Sequence, residues 1–594
     1  MTSDVRVDAA PDPTDPAAPA PATLCAAFQA TAARYAHQTA VRTPDDSLSL
    51  TWGEYADRVR HIAGGLAGLG VGPGDTVALM MVNRPEFHLA DTATLHLGAT
   101  PFSVYNTSAP EQIKYLFGNA GNRVVITEKQ FLPKLRGLDL DHVLCVDDGP
   151  GLGGLAEPAD FDFEASWRAV EADDVATIIY TSGTTGPPKG VELTHANLVA
   201  QCTATAKIFP PSGSDSGISY LPSAHIADRW ASHYSPMLYG GEITCVDDHR
   251  KVLGVLTSVH PTMFGGVPQM WYKLKAGIEA MIAHEQDPAK QQAMQWAIDT
   301  GRKYVRAGQE GTVPDELAAE YAKADELVLS KIRAKLGLDR VRNSCSGAAP
   351  IAPEVLEFVC GLGLPVLELW GMSELSCCAT INPPGGIKIG TVGTPITGVE
   401  VRLADDGELL VRGPTVMKGY RNDPERTKET IDADGWLRTG DVATIDEDGY
   451  VTIIDRKKEL IINSFGKNMS PAAIENAIRA ASPLIGQAVV IGDDRPYNVA
   501  LLVLDPDMAA NFARQYGLPD PSVEAVSVHP GLIGAIEAAI DEANSHLSRV
   551  EQIKRFTVLP TVWEPGGAEL TPTVKLRRRP IADKYKEQIE QLYA

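Results

Sequence analysis

The chain has 594 residues, 44% of them hydrophobic, and sets 53 basic against 76 acidic side chains for a net charge of -23. That length is several domains' worth and can bury a large core. So acidic a balance excludes coating nucleic acid or anionic lipid by bulk charge, while leaving room for a local basic pocket.

The first 21 residues are acidic and rich in Pro and Ala, with no apolar core, which reads as a disordered tail and not a signal peptide. Residues 24–36 have helical periodicity, and LSLTWGEYADRVRHIAGGLAGLG reads as a short strand followed by an amphipathic helix. Residues 71–105 give a turn, a buried strand, a helix and another strand. Such alternation, resumed from about Asp174, predicts an α/β domain with mostly parallel sheets under covering helices. The glycines from Gly64 to Gly74 lack G-x-G-x-x-G spacing behind a strand, so no dinucleotide site is read there. Residues 270–340 are polar and helix-forming, and predict surface helices inserted over about 275–336. Breaks at Pro288 and Gly308–Gly311 count against a coiled-coil arm. Short alternating strands with Asp–Gly turns over 400–455 predict a small β-rich unit. The acidic run Asp446, Glu447 and Asp448 lacks EF-hand spacing and reads as a solvated turn. Beyond about 459, strands and helices mix in a smaller α+β unit with a basic end. The predicted organisation is therefore a tail 1–21, an N-terminal domain 22–455 and a C-terminal domain 456–594. Eight cysteines show no CxxC spacing, and the adjacent Cys377 and Cys378 read as small buried residues; the pattern fits a reducing cytoplasm. No apolar run is long enough to span a membrane, so any membrane contact would be peripheral.

The strongest local signal is Tyr180-Thr-Ser-Gly-Thr-Thr-Gly-Pro-Pro-Lys-Gly190, behind the apolar strand VATIIY. Its glycines, hydroxyls and Lys189 suit phosphate oxygens, and its spacing is not that of the Walker loop. The segment resembles the phosphate loop of the adenylate-forming superfamily of acyl-CoA synthetases, luciferases and adenylation domains. Five further segments resemble that family's motifs in order: Gly347-Ala-Ala-Pro350, Leu369-Trp-Gly-Met-Ser-Glu374, Gly435-Trp-Leu-Arg-Thr-Gly-Asp441, Asp455-Arg-Lys-Lys-Glu459 and Thr571-Pro-Thr-Val-Lys575. The resemblance covers nearly the whole chain beyond the tail.

It implies an enzyme that uses ATP and Mg²⁺ to activate a carboxylic acid as acyl-AMP and then passes the acyl group to CoA. The nucleotide-contacting positions would be Thr181, Ser182, Gly183, Thr184, Thr185, Gly186, Lys189, Gly347, Ala348, Glu368, Leu369, Trp370, Gly371, Met372, Ser373, Asp441, Ile453, Arg456 and Lys575. Thr181 and Glu374 would hold the metal, a hard ion that takes few protein ligands when it rides on phosphates. Asp441 would accept from the ribose hydroxyls, from a loop free to aim it. Trp370 would stack on adenine, with buried packing the equal alternative. Lys575 would neutralise the carboxylate and α-phosphate oxygens; read alone, it would belong to a solvated basic tail. Lys458 occupies the hinge position, and Gly466, Lys467 and Asn468 belong to a loop that resembles the CoA-using branch. Trp370 and Ser373 stand where many members carry Tyr and Thr; the indole can still stack and the hydroxyl remains.

Leu221-Pro-Ser-Ala-His-Ile-Ala-Asp-Arg229 resembles a motif of long-chain fatty acyl-CoA synthetases, which would set His225 beside the acyl carboxylate. Trp230, Met237, Tyr239, Met263–Pro268 and Trp271 are apolar enough to line an alkyl tunnel. The alternatives are a fatty acyl-AMP ligase that loads a carrier protein, disfavoured because no insertion separates Asp441 from Lys458, a CoA ligase for another bulky acid, and a non-catalytic nucleotide-binding scaffold. Family analogy leaves room for a homo-oligomer.

Overall fold

The computed structural model describes residues 20–181, 187–463, 468–571 and 574–594. Residues 1–19, where most of the expected tail lies, are outside it.

Thr76–Met80 is buried on both faces, and its continuous apolar run is what a central parallel strand needs. It lies between Thr100–Ser103 and Val124–Thr127, with His142–Cys145 at the edge, all parallel. A second sheet runs Ser49–Thr51, Thr39–Arg42, Glu242–Cys245 and Ser216–Ser219, with only its first pair antiparallel. A third sets Met263–Gly266, Asn343–Ser346 and Val366–Trp370 in parallel and ends in two short antiparallel strands. The α/β reading is therefore correct.

Local chemistry starts the covering helices where the sequence signals. Thr51 and Glu54 form a reciprocal capping box at the head of Trp52–Gly68. Proline opens Pro85–Leu95, Pro268–Ala283 and Pro288–Gln309, where its missing N–H costs nothing. Pro288 thus begins a helix after the preceding one has ended. Pro288–Gln309 lies against Pro353–Gly361 through Gly301, where a Cβ would come within 2.3 Å of the Gly361 carbonyl oxygen. That close approach makes these helices one wall of the third sheet's core and not a free arm.

Glu400–Leu403, Glu408–Arg412, Leu437–Ile445 and Val451–Arg456 form an antiparallel meander. Asp446 accepts from the backbone N–H groups of Asp448 and Tyr450, so the acidic run is a turn. The smaller C-terminal part has the mixed sheet Ile485–Ile491, Asn498–Leu504 and Ile553–Leu559, packed on helices such as Pro471–Ala481. Cys377 and Cys378 are buried, and all eight cysteines are free. Among the described residues no helix is long and apolar enough to cross a membrane.

Candidate active site

A cavity of about 2020 Å³ opens between the two parts of the chain. Single-ligand pockets run to roughly 300–1,000 Å³, so this one has room for more than one ligand. The described candidates for contacting nucleotide, metal and acid carboxylate all lie on its wall, and Lys458 does not.

Val175–Thr181 and Lys189–Thr194 form an antiparallel hairpin with Thr181 opposite Lys189. Ser182, Gly183, Thr184, Thr185 and Gly186, which join the two strands, lie outside the described residues. Burial depresses the Lys189 pKa; Arg426 and Lys458 add to this, and Glu374 opposes it.

Glu374 sits in the short turn Ser373–Leu375 after Val366–Trp370. It is 6% exposed, so the buried site replaces the exposed helix start that a lone glutamate would suggest. Only glycine fits at Gly371, where a Cβ would lie 2.0 Å from the Cys377 carbonyl oxygen. Beyond the turn Ser376 has φ 61°, and across the cavity Ala348 has φ 70°. Left-handed backbone at a non-glycine residue costs about 1–2 kcal/mol, and such strain gathers at sites that need fixed geometry. Leu369 packs over Gly347.

Asp441 lies inside the strand Leu437–Ile445, which corrects the expectation of a freely aimed loop residue. The strand's register places it opposite Arg456, whose Nε is 3.3 Å from Asp441 Oδ1. Trp370 Nε1–H donates to Asp441 Oδ2 at 2.9 Å. The indole is therefore tied to the carboxylate, and neither alternative stated from the sequence included this bond. Asp441 Oδ1 accepts no hydrogen bond among the described residues. Burial pushes the Asp441 carboxyl up despite Arg456, as it must for a carboxylate still short of donors. Glu368 accepts from the Gly390 N–H at 3.2 Å, and burial pushes it up to about 8.

His225 caps the turn Ile226–Asp228, its Nδ1 accepting from Ala227 N–H at 3.1 Å. That bond leaves Nε2 as the N–H donor of a neutral ring. Burial, with Lys575 adding, pushes its pKa down to about 4. The segment after it is pinned from below. Arg229 is fully buried and donates to Asp91 at 2.6 Å, Tyr234, Ser103 and the Ser223 carbonyl. Of the apolar residues expected along a tunnel, Trp230, Tyr239 and Met263–Pro268 line the cavity. Met237 and Trp271 do not; they are 1% and 0% exposed within packed cores.

Lys575 enters the cavity from the C-terminal part. Its loop is closed by Lys575 N–H donating to Thr571 Oγ1 and by Thr571 N–H donating to the Lys575 carbonyl. The side chain is exposed on the cavity wall. Burial and then Arg456 lower its pKa, and Asp441, Glu374 and Glu459 oppose them. Arg578, three residues on, pairs with Glu475 at 2.6 Å and Glu459 at 3.1 Å. Lys189, Arg456, Lys458 and Lys575 thus gather in an acidic protein, a local field that suits polyanions. Gly466 and Lys467 lie outside the described residues, and Asn468 begins a two-residue strand paired with Ile461–Ile462.

No motif marks Tyr420, whose hydroxyl donates to Glu374 Oε1 across 46 residues, or Arg578 and Glu475, which meet across 103. A family model described as AMP-binding enzyme matches residues 28–421, and one described as AMP-binding enzyme C-terminal domain matches 458–594. The Mycobacterium tuberculosis protein fadD11, provisionally named a fatty-acid–CoA ligase, is 54% identical over 73% of this chain and 76% of its own. FadD15 of Mycobacterium bovis, named a long-chain-fatty-acid–CoA ligase, is 36% identical over 92% of each chain. Among solved structures, an O-succinylbenzoate coenzyme A synthetase from Bacillus subtilis in complex with ATP and magnesium ion aligns with TM-score 0.68. At 22% identity over 93% of this chain and 98% of that one, it shares the fold.

Proposed function

This chain belongs to the AMP-binding enzyme family, and on that premise we propose that it converts a long-chain fatty acid to its CoA thioester through an acyl-adenylate. The observation that carries the reading is the convergence of Lys575, His225, Asp441 and Glu374 on one cavity whose wall continues into the apolar residues Trp230, Tyr239 and Phe264. The name of FadD15 supports the long-chain acid and the CoA acceptor, and that of fadD11 a fatty acid and CoA.

In the first step a carboxylate oxygen of the acid attacks the α-phosphorus of ATP, and the bond to pyrophosphate breaks. Two anions must meet, so the site has to supply positive charge and N–H donors. Lys575 supplies an ammonium with no hydrogen-bonded partner among the described residues. His225 offers Nε2–H to the acid, and Asp441 Oδ1 accepts from ribose. Magnesium, when bound, neutralises phosphate charge. The residues fit it: Glu374 Oε1 is engaged by Tyr420, and Oε2 takes no hydrogen bond among the described residues. An ion that rides on phosphates takes only one or two protein ligands. Thr181 would be the second protein ligand.

In the second step the CoA sulfur attacks the acyl carbon and AMP leaves. Lys575 must withdraw first, and rotation about Lys458 would bring the segment with Gly466, Lys467 and Asn468 to the acyl group. Incubation with ATP, Mg²⁺ and a chain-length series of fatty acids, with and without CoA, tests the reading. Mass spectrometry should find acyl-thioester and AMP from long acids only when CoA is present. Acyl-AMP that accumulates regardless of CoA would favour a carrier-loading ligase instead.

A further inference from the structure

Gly419–Tyr420 is a two-residue strand paired antiparallel with Lys189–Thr194, Tyr420 lying opposite Val191. The Tyr420 side chain is buried, and its hydroxyl donates to Glu374 Oε1 at 2.8 Å. The Lys189 ammonium stands 4.9 Å from the centre of the same ring. Three residues earlier, Met417 N–H donates to the Glu374 backbone carbonyl at 2.9 Å. The short segment Met417–Tyr420 therefore grips Glu374 by backbone and carboxylate, while the face of its tyrosine ring holds the lysine that closes the phosphate-type loop. A phenol donating to one carboxylate oxygen fixes the rotamer and leaves the other oxygen for a metal, and such outer partners set ligand orientation. A ring beneath an ammonium restrains it without neutralising it.

We propose that Tyr420 is a positioning residue that sets Glu374 and Lys189 together for magnesium-bound ATP. The inference rests on the ATP-using reading of the site. Tyr420→Phe removes the hydroxyl and keeps the ring under Lys189; Tyr420→Leu removes both. Titration calorimetry of each protein with ATP, in excess Mg²⁺ and in chelator, separates the two contacts. For Tyr420→Phe, MgATP affinity should fall roughly 10-fold, the scale of one lost hydrogen bond to a charged group, while metal-free ATP binds as to the wild type. Tyr420→Leu should weaken metal-free ATP as well. Circular dichroism and thermal melting establish that both variants are folded. Equal losses with and without metal in Tyr420→Phe, or no loss in either, would overturn the role. A wild-type protein that binds no MgATP would instead remove the functional reading itself.

Discussion

Lys575 is an ammonium in a site that lowers its affinity for a proton, with acidic groups near but no bonded counter-ion among the described residues. An arriving anion completes its pairing. Lys575→Ala should therefore lower the acyl-adenylate-forming rate by about 100- to 1,000-fold, the scale seen when one preorganised transition-state donor is removed. Transfer to CoA from supplied acyl-AMP should survive, and pre-steady-state quench of the two half-reactions would show the split. At Trp370 the informative atom is the indole N–H. Trp370→Phe keeps an aromatic face and deletes the donor to Asp441. The KM for ATP should rise roughly 10-fold with the KM for fatty acid unchanged. A change confined to the acid would place Trp370 on the acyl side. The motif lettering revealed both residues, but not the bond between Trp370 and Asp441, because 71 residues separate them.

At the scale of elements, the His225 segment is held by charge and not by apolar packing alone. Arg229 and Asp91 are both 0% exposed, and His233 Nε2–H donates to the second Asp91 oxygen at 2.9 Å. Removing one partner of a buried pair leaves an uncompensated charge, a loss of about 3–5 kcal/mol. Arg229→Met should lower stability by that amount in urea titration. Arg229→Met with Asp91→Leu should recover part of it, since replacing both partners with apolar groups is often neutral. Arg578 does comparable work in the C-terminal part, bracing the Lys575 loop against Glu475 and Glu459. Such struts leave no periodic trace. Arg577, Arg578 and Arg579 read from the sequence as one basic tail, yet the side chain of Arg578 is only 22% exposed and is ion-paired with Glu475 and Glu459.

The whole molecule has its own proton balance. His96, His195 and His225 are pushed down to about 4 by burial, and His88 is well below its usual value. Between about pH 4 and 6.5 the unfolded chain binds protons that these four folded side chains refuse, so stability falls as pH drops below 6.5. Asp228 and Glu368 are pushed up to about 7 and about 8. Above their unfolded values the folded chain holds two extra protons, a contribution lost as pH rises through 7 and 8. Below pH 6.5 these four histidines outweigh these two acids, each net proton contributing roughly 1.4 kcal/mol per pH unit. Calorimetric melting from pH 5 to 8 should therefore peak near pH 6.5. Stability that keeps rising through pH 8 would contradict the two protonated acids.

The sequence by itself determined the α/β class, the helix starts and the ordered set of motifs. Those signals are local: apolar runs, capping pairs, proline at helix heads and glycines where backbones touch. What only the tertiary structure decided is where each charge points. Strand register set Asp441 against Arg456, burial turned Met237 and Trp271 into core, and a two-residue strand carried Tyr420 to Glu374. Each depends on contacts between residues far apart in the chain, and the low-dielectric interior that shifts their proton affinities exists only once those contacts have formed.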